Sequence, residues 1–167
     1  MMTNVTIRRP EPGDLLALTD IYNHYVRESP ATFEIEPYSV EQRQKWLAGF
    51  ASTGRYQCFV ALRDGVPAGW ASSHRYNERP AYDPTVLTSI YLAPEARGQG
   101  LGRRLYATLF RALELEDIHR VFAGIVPPNP ASTGLHESFG FRLAGTLTEV
   151  GRKFGRYWDV ATYLKSM

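Results

Sequence analysis

Apolar residues recur along the chain at two spacings, and each spacing predicts one kind of secondary structure. Leu15, Leu18 and Tyr22 are three and four residues apart and so share one face of a helix. Short apolar or alternating runs bounded by Gly, Pro, Asn or Asp indicate strands. The pattern predicts a strand over Val5–Arg8, helices capped by Asp14 and Ser39, strands over Gln57–Leu62, Ala68–His74 and Val86–Leu92, a long helix from Leu101, a strand over Val121–Val126, a short helix from Asn129, and strands near Phe141–Val150 and Arg156–Leu164.

The connections between these segments predict a sheet with both antiparallel and parallel neighbours. Asp64-Gly65 joins two apolar runs, which is a strong signal for a tight hairpin. The strand, helix and strand between Val86 and Val126 form a crossover, which implies one parallel pair. A chain of 167 residues suits one domain that buries roughly two-thirds of the surface exposed when unfolded. We therefore expect a single α/β domain over residues 1–167, with helices on the faces of a mixed sheet.

Composition narrows the range of partners and locations. The 19 basic and 17 acidic residues leave a net charge of +2, which gives no electrostatic reason to bind nucleic acid or a membrane surface. No apolar run approaches the roughly 20 residues of a membrane span, and the N-terminus lacks the features of a signal peptide. The lone Cys58 excludes an internal disulfide and a cysteine-rich metal site, and its strand-like surroundings favour a buried structural thiol. We expect a reducing, cytoplasmic location and no metal.

The segment Arg97–Gly102 is the strongest candidate for ligand chemistry. Three glycines lie within five residues between a strand and a helix, a context in which backbone amides can point at an anion such as pyrophosphate. A tight turn that merely contains glycine is the alternative. A dinucleotide-binding loop would need glycine at the position of Arg103, and the Gly-Lys-Ser/Thr of a nucleoside-triphosphate loop is absent.

Two segments together resemble the marks of a known superfamily. Ile90–Gly102 resembles the acetyl-CoA signature of the GNAT N-acetyltransferases, and Asn129–Ser132 opens a helix that ends in Phe139-Gly140-Phe141, as in their second mark. The resemblance extends over essentially the whole chain to the branch that acetylates phosphinothricin and methionine sulfone or sulfoximine. The segments that carry it are Thr32–Glu34, Ala81–Asp83, Leu135–Glu137 and Gly151–Asp159.

The resemblance implies both a fold and an activity. It implies the GNAT (acyl-CoA N-acyltransferase) fold, a mixed and mostly antiparallel sheet in which two parallel strands splay apart around the pantetheine arm. It also implies a homodimer and an enzyme that moves the acetyl group of acetyl-CoA to the amine of a small molecule, such as an amino acid or its analogue.

By resemblance, cofactor roles fall on three groups of residues. The main chain of Ile90, Tyr91 and Leu92 is expected to pair with the pantetheine, with an amide near Tyr91 as the oxyanion contact. His136 takes the position of a residue that protonates the departing thiolate, with a cofactor contact or a packing role as alternatives. The pyrophosphate is expected at the amides of Arg97, Gly98, Gln99, Gly100, Leu101 and Gly102, and further pantetheine contacts at Asn129 and Ser132.

The acceptor half departs from the family pattern. The usual acid on the strand before Tyr91 aligns with Leu87, and a substrate-binding Trp-Arg pair aligns with Tyr76-Asn77. Glu34 is the favoured base, ahead of Asp83 and His74, and an acceptor of low basicity needs none. The residues expected to contact the acceptor are Phe33, Tyr76, Asn77, Arg79 and Leu87, with Lys153 and Phe154 lent by a second protomer.

Two other functions stay open at this point. The missing acid at Leu87 suggests a catalytically weak module that binds acyl-CoA as a sensor. An acetyltransferase acting on an arylamine, or on protein termini or lysines, is a third possibility. The last would favour an open acceptor groove, whereas the loop Arg75–Pro84, rich in tyrosine and proline, is better suited to closing over something small.

Overall fold

The computed structural model describes residues 4–167, and its elements follow the order expected from the sequence. The sequence also predicts that residues 1–3 belong to the domain and to an N-terminal segment without signal-peptide features. These three residues lie outside the described part of the chain. Short 3-10 turns cover Pro12–Asp14, Pro80–Tyr82 and Pro94–Ala96. The helices and strands are β1 (Val5–Arg8), α1 (Leu15–Glu28), α2 (Val40–Leu47), β2 (Cys58–Arg63), β3 (Val66–Arg75), β4 (Thr85–Leu92), α3 (Leu101–Leu113), β5 (Arg120–Ile125), α4 (Pro130–Ser138), β6 (Arg142–Lys153) and β7 (Arg156–Ser166).

The seven strands form one mixed sheet in the order β1-β2-β3-β4-β5-β7-β6. Among the strands of residues 4–167, only β4 and β5 are parallel, and they pair over just three residues, Thr85–Leu87 with Arg120–Phe122. Beyond Leu87 the two strands separate, which opens a gap in the middle of the sheet. The expected GNAT architecture, a mostly antiparallel sheet with a splayed parallel pair, is therefore confirmed.

The hairpin between β2 and β3 confirms the tight turn predicted at Asp64-Gly65. Both residues have positive φ, 50° and 83°, as a two-residue turn between right-twisted strands requires. Because the turn is so short, pairing begins at once with Arg63 opposite Val66, and β3 starts earlier than Ala68.

Helices cover both faces of the sheet. Cys58 to Leu62 are all buried, and since successive side chains of a strand point to opposite faces, both faces of β2 must be covered. Both α1 and α3 pack against β3. Burial raises the pKa of Cys58 to about 12, which confirms a structural thiol. The inward face of α3 consists of Leu101, Leu105, Tyr106, Leu109, Phe110 and Leu113.

Asp14 does not cap α1 in the expected manner. Its carboxylate accepts hydrogen bonds from the Arg8 guanidinium, at 2.7 and 3.0 Å, and from the Glu11 amide at 2.8 Å. Burial opposes the charged form, but these bonds lower the pKa of Asp14 overall. The carboxylate therefore ties β1 to the 3-10 turn before α1 rather than to the amides of the helix.

The second helix confirms its capping box but buries an unexpected residue. Ser39 Oγ accepts from the Gln42 amide at 3.3 Å, and the Gln42 side chain accepts from the Ser39 amide at 2.8 Å. The helix ends at Leu47, so Phe50 lies beyond it, although that ring still packs against Trp46. The fully buried residue of α2 is Arg43, which the apolar pattern does not single out.

Candidate active site

A cleft of about 600 Å³ fills the gap where β4 and β5 separate. Its walls are the second half of β4, the end of β5, the start of α3 and one side of α4. Every residue expected to bind the cofactor lines this cleft except Gln99, whose side-chain amide donates to the Glu95 carbonyl at 2.8 Å. None of the helices within residues 4–167 is long and apolar enough to cross a bilayer.

The glycine-rich loop presents free backbone amides to the cleft. Gly100 precedes α3 with φ 77°, a left-handed conformation that favours glycine. Within the described chain, the amides of residues 98–103 donate to no other backbone or side-chain acceptor. Arg97 and Arg103 add positive charge beside them. Free N–H groups at the start of a helix together with two cations form a site suited to a polyanion.

The cleft-facing edge of β4 has no strand partner beyond Leu87. On its other side β4 pairs with β3, with Tyr91 opposite Trp70 and Leu92 opposite Gly69. Tyr25 Oη donates to the Leu92 carbonyl at 2.6 Å, which fixes the end of the strand. An extended ligand can therefore pair with this edge in the way that a further strand would.

His136 is buried at the wall of the cleft, and both of its ring nitrogens are engaged. Nδ1 lies 2.7 Å from the Ser132 carbonyl, which can only accept, so Nδ1 carries the proton. Nε2 of the neutral ring then accepts from Tyr106 Oη at 2.8 Å. Burial lowers the pKa of His136, although the Ser132 carbonyl partly offsets it, and burial raises the pKa of Tyr106. The Tyr106 hydroxyl is thus held in place by a neutral imidazole at the wall of the cleft.

A second cavity, of about 290 Å³, lies beside the same strand. Leu87, Ser89 and Tyr91 line it because alternate residues of β4 share one face. Ser89 and Tyr91 also line the larger cleft, so the two spaces meet at β4. Glu34 is the one carboxylate among the described residues that line either space. His74, paired with Leu87 across the sheet, lines the smaller cavity as well.

The electrostatics of the smaller cavity distinguish the two candidate bases that line it, His74 and Glu34. Burial, and then the charge of Arg43, lower the pKa of His74 to about 4, while its Nε2 lies 2.7 Å from Ser72 Oγ. Burial, and then Glu34, raise the pKa of Tyr38 to about 12. His74 is therefore neutral and weakly basic at pH 7, and Glu34 is the remaining acidic group at the cavity.

Several residues expected to contact the acceptor lie outside both cavities. Tyr76 packs on Phe122, with ring centroids 5.1 Å apart, and Asn77 Oδ1 accepts from the Arg79 amide at 3.0 Å. Asp83 also lines neither space. These residues belong to the loop before β4, and their predicted contact with the acceptor stays a prediction.

The residues near the β6–β7 turn contact the segment that follows α1. Lys153 Nζ donates to the carbonyls of Ser29 and Thr32, each at 2.8 Å, and the side chain is buried. The ring of Phe33 packs so closely on Gly151 that a Cβ there would clash with it. Phe154 is exposed. Their predicted contribution to the acceptor site of a second protomer also stays a prediction.

Tyr106 and Arg43 line these cavities but do not stand out in the sequence. Tyr106 follows Leu105 on the apolar face of its helix, so the sequence pattern predicts only a packing role for it. Its hydroxyl is the one feature that distinguishes it from the apolar residues of that face. Arg43 lies one turn before Trp46, and an arginine in a helix ordinarily points to solvent. Its burial depends on rings from α1 and β3, which local sequence does not reveal.

Comparison with known proteins decides the family. The model of the Acetyltransferase (GNAT) family matches residues 18–141. The chain belongs to this family. The resemblance seen in Ile90–Gly102 and Asn129–Ser132 is thereby confirmed, and the protein is an acetyltransferase.

Relatives of this GNAT protein cover nearly its whole length. It is 52% identical over 161 residues to the phosphinothricin N-acetyltransferase of Streptomyces coelicolor, covering 95% of this chain and 94% of that protein. It is 34% identical over 156 residues to an L-methionine sulfoximine/L-methionine sulfone acetyltransferase of Salmonella typhimurium, covering 93% and 91%. A solved GNAT phosphinothricin acetyltransferase from Sinorhizobium meliloti, in complex with acetyl-CoA, superposes with a TM-score of 0.91 at 33% identity, covering 98% and 88%.

Proposed function

We propose that this GNAT protein transfers the acetyl group of acetyl-CoA to the amine of a small molecule of the amino-acid type. The observation that carries the proposal is the pair of spaces that meet at β4. The larger cleft suits a long anionic donor and the smaller cavity a compact acceptor, and both are lined by Ser89 and Tyr91. The names of the relatives from Streptomyces and Salmonella support an acceptor of amino-acid type.

The donor's phosphates are assigned to the start of α3. The free amides of residues 98–103 and the side chains of Arg97 and Arg103 would bind the pyrophosphate, because N–H groups at a helix start and nearby cations attract anions. The acetyl-CoA complex of the relative from Sinorhizobium supports this choice of donor.

The pantetheine arm is assigned to the unpaired edge of β4. It would pair with Ile90–Leu92 as an added strand, and an amide near Tyr91 would donate to the thioester oxygen, where negative charge develops. Asn129 uses its carbonyl oxygen to accept from the Ser132 amide at 3.2 Å, which leaves its NH₂ group for the ligand. Ser132 lines the cleft beside it.

The proposed reaction moves two protons. The ammonium of the acceptor loses one to Glu34, directly or through water. The free amine then attacks the thioester carbon, and the C–S bond breaks as the amide forms. The leaving thiolate takes the second proton from the Tyr106 hydroxyl, which Nε2 of the neutral His136 holds in place, and the phenolate takes a proton from water once CoA has left. The products are an N-acetyl compound and free CoA.

The experiment that tests this function is thiol release from acetyl-CoA in the presence of different amines. The panel is phosphinothricin, methionine sulfone, common amino acids, polyamines, arylamines and peptides. We expect thiol release and an N-acetyl product with amino-acid acceptors. Acetyl-CoA binding without thiol release from any of them would favour the sensor function, and turnover of peptides alone would favour a protein substrate.

The proposal includes a homodimer formed by β6 and β7. β6 is the edge strand of the sheet and is exposed from Arg142 to Glu149. Apolar residues on an edge strand favour pairing with another chain. The protein would act in the cytoplasm as one domain, with Cys58 as a free buried thiol. The exposed apolar side chains are Leu143, Leu147, Val150, Phe154 and Tyr157.

A further inference from the structure

Arg43 is a buried cation without a counter-ion. Its side chain is 5% exposed and lines the smaller cavity. The ion pairs found within residues 4–167 do not include it. Its Nε and Nη2 atoms are buried and have no hydrogen-bond partner in that part of the chain. Those two atoms have almost no accessible surface, so the group that can meet an occupant of the cavity is Nη1, which is not among the buried unpaired atoms.

Aromatic rings hold this guanidinium but do not satisfy it. Its Cζ lies 3.6 Å from the ring centroid of Trp46, 4.7 Å from that of Tyr22 and 5.3 Å from that of Trp70. Such stacking stabilises a cation and fixes its plane. It does not replace the in-plane hydrogen bonds, and a buried charge without them is unfavourable. The Nη1 end of the Arg43 guanidinium therefore suits an anionic occupant.

Arg9 illustrates how this chain satisfies a guanidinium whose role is structural. It also stacks on a ring, with Cζ 3.9 Å from the centroid of Phe59, and Nη1 has no partner. Its Nη2, however, donates to the Ser52 carbonyl at 2.8 Å and to Gln57 Oε1 at 2.6 Å. Arg9 lines neither cavity, whereas Arg43 lines one and lacks such bonds.

The same cavity carries the opposite charge at a second place. Glu34 lines it as a carboxylate and is not paired with Arg43. A cavity of about 290 Å³ that carries a guanidinium and a carboxyl group, not paired with each other, is complementary to a small zwitterion. An α-amino acid has this charge pattern, with an ammonium group at one end and an oxyanion at the other.

We propose that Arg43 is the anion subsite of the acceptor cavity, so that the acceptor is a zwitterionic amino acid whose oxyanion is held by the guanidinium while its ammonium group faces Glu34. The oxyanion is the α-carboxylate or an acidic group on the side chain, which share the same recognition chemistry. This inference rests on the proposed N-acetyltransferase function and adds the residue that binds the oxyanion of the acceptor.

The test compares acceptors that differ by one carboxylate in wild type and Arg43→Met, which keeps an unbranched stem against Trp46. One pair of acceptors is methionine sulfone and its carboxamide; another is phosphinothricin and its decarboxylated aminophosphinate. Within each pair, the ratio of the two kcat/KM values is compared between wild type and variant. A ratio is needed because the acid and the amide differ in the basicity of their amines. We expect Arg43→Met to lower kcat/KM for the anionic member by about 10- to 100-fold and to leave the carboxamide nearly unchanged.

The two pairs distinguish the source of the oxyanion. A change confined to acceptors with a carboxylate assigns Arg43 to that group, and a change that persists for the aminophosphinate assigns it to the side-chain oxyanion. Lys45→Met, which removes an exposed cation from the same helix, should leave every ratio as in wild type. Arg43→Lys keeps the charge without the fork and should give an intermediate ratio.

A purely structural role for Arg43 would give a different result. It would lower kcat/KM for acid and amide alike, and an unchanged ratio in a folded Arg43→Met protein would overturn the inference. Calorimetric titration of methionine sulfone into the CoA-bound protein provides a readout that needs no turnover, with binding expected in wild type and lost in Arg43→Met. Wild type that binds the amino acid but releases no thiol would count against the proposed function alone.

Discussion

The Tyr106 hydroxyl lies 2.8 Å from Nε2 of His136, inside the wall of the cofactor cleft. Because the other ring nitrogen is held by the Ser132 carbonyl, the neutral imidazole can only accept at Nε2. The two side chains come from α3 and α4, so their contact depends on how these helices meet. The histidine predicted from the second family mark is thus hydrogen-bonded to a tyrosine that the sequence did not single out.

Tyr106→Phe should lower kcat far more than it changes the affinity for acetyl-CoA. The variant removes the hydroxyl proposed to protonate the leaving thiolate, and loss of a positioned acid costs about 10²-fold or more. Steady-state kinetics would measure kcat, and calorimetry would show that the cleft still binds its ligand. His136→Gln and the double variant complete the cycle. A double variant as slow as either single one indicates that the pair acts as a unit, whereas additive losses would show that the two residues act independently.

Gly100→Val should weaken acetyl-CoA binding at least 10-fold in a folded protein. A Cβ at Gly100 would meet no atom within 4 Å, so crowding inside the chain is not the reason. The reason is its φ of 77°, which is unfavourable for a β-branched residue by about 1–2 kcal/mol, and the displacement of amides that would hold the pyrophosphate. Calorimetry checks the affinity. Gly134→Ala, on α4 with open space around it, is the control, and unchanged affinity in Gly100→Val would exclude this loop as the phosphate site.

The sequence predicted those parts of the fold and site that depend on local chemistry. The Asp64-Gly65 turn and the Ser39 capping box need only neighbours in the chain, and both are confirmed. The amides of the glycine-rich loop likewise follow from backbone freedom and the helix after it. The splayed strands were expected from the family resemblance, since no local pattern encodes where the pairing of β4 and β5 ends.

Features that depend on packing between distant parts of the chain could not be predicted from the local sequence. Arg43 is buried because Tyr22 from α1 and Trp70 from β3 close around it. Asp14 bonds Arg8, six residues earlier, because β1 and the turn before α1 lie side by side. From the local sequence, Arg43 would be a solvated cation and Asp14 a helix cap. Only the tertiary structure shows that Arg43 is buried and that Asp14 bonds Arg8.

Acidification should destabilise the fold through His74. Burial and the charge of Arg43 lower its pKa from 6.5 to about 4. Between these values the unfolded chain binds a proton that the folded protein does not, so the free energy of unfolding decreases as pH falls, by roughly 3 kcal/mol at most. Denaturant unfolding at pH 7 and pH 4 measures this loss. It should be smaller in His74→Gln and unchanged in His119→Gln, whose side chain is exposed. An equal loss in all three proteins would contradict the assignment.

The β6–β7 surface should hold two copies together at micromolar concentration. Leu143 and Leu147 are 57% and 53% exposed on the edge strand, and glutamates there would bring like charges together across a symmetric interface. Light scattering should give a dimer for wild type and a monomer for the doubly substituted protein. Leu115→Glu, at an 86% exposed position after α3, should stay dimeric. A fully active wild-type monomer would remove the dimer from the proposal.

Glu34→Gln should change both the rate and its dependence on pH. A primary amine is mostly protonated at pH 7 and cannot attack a thioester until that proton leaves. Leu87, at the family's usual acid position, cannot accept it, and His74 is neutral but weakly basic because burial lowers its pKa. Glu34 is the one carboxylate among the described residues lining the cavity where the amine is expected. Removing a general base costs about 10²-fold or more in kcat/KM.

The pH profile of kcat/KM decides between Glu34 and deprotonation by bulk water. If Glu34 is the base, Glu34→Gln loses the rate at neutral pH and regains part of it as rising pH deprotonates the free amine. Glu36→Gln, two residues away and lining neither cavity, is the matched control and should follow the wild-type profile. Parallel profiles for all three proteins would eliminate Glu34. They would point instead to an acceptor of low basicity, because an amine already unprotonated at pH 7 needs no group to take its proton.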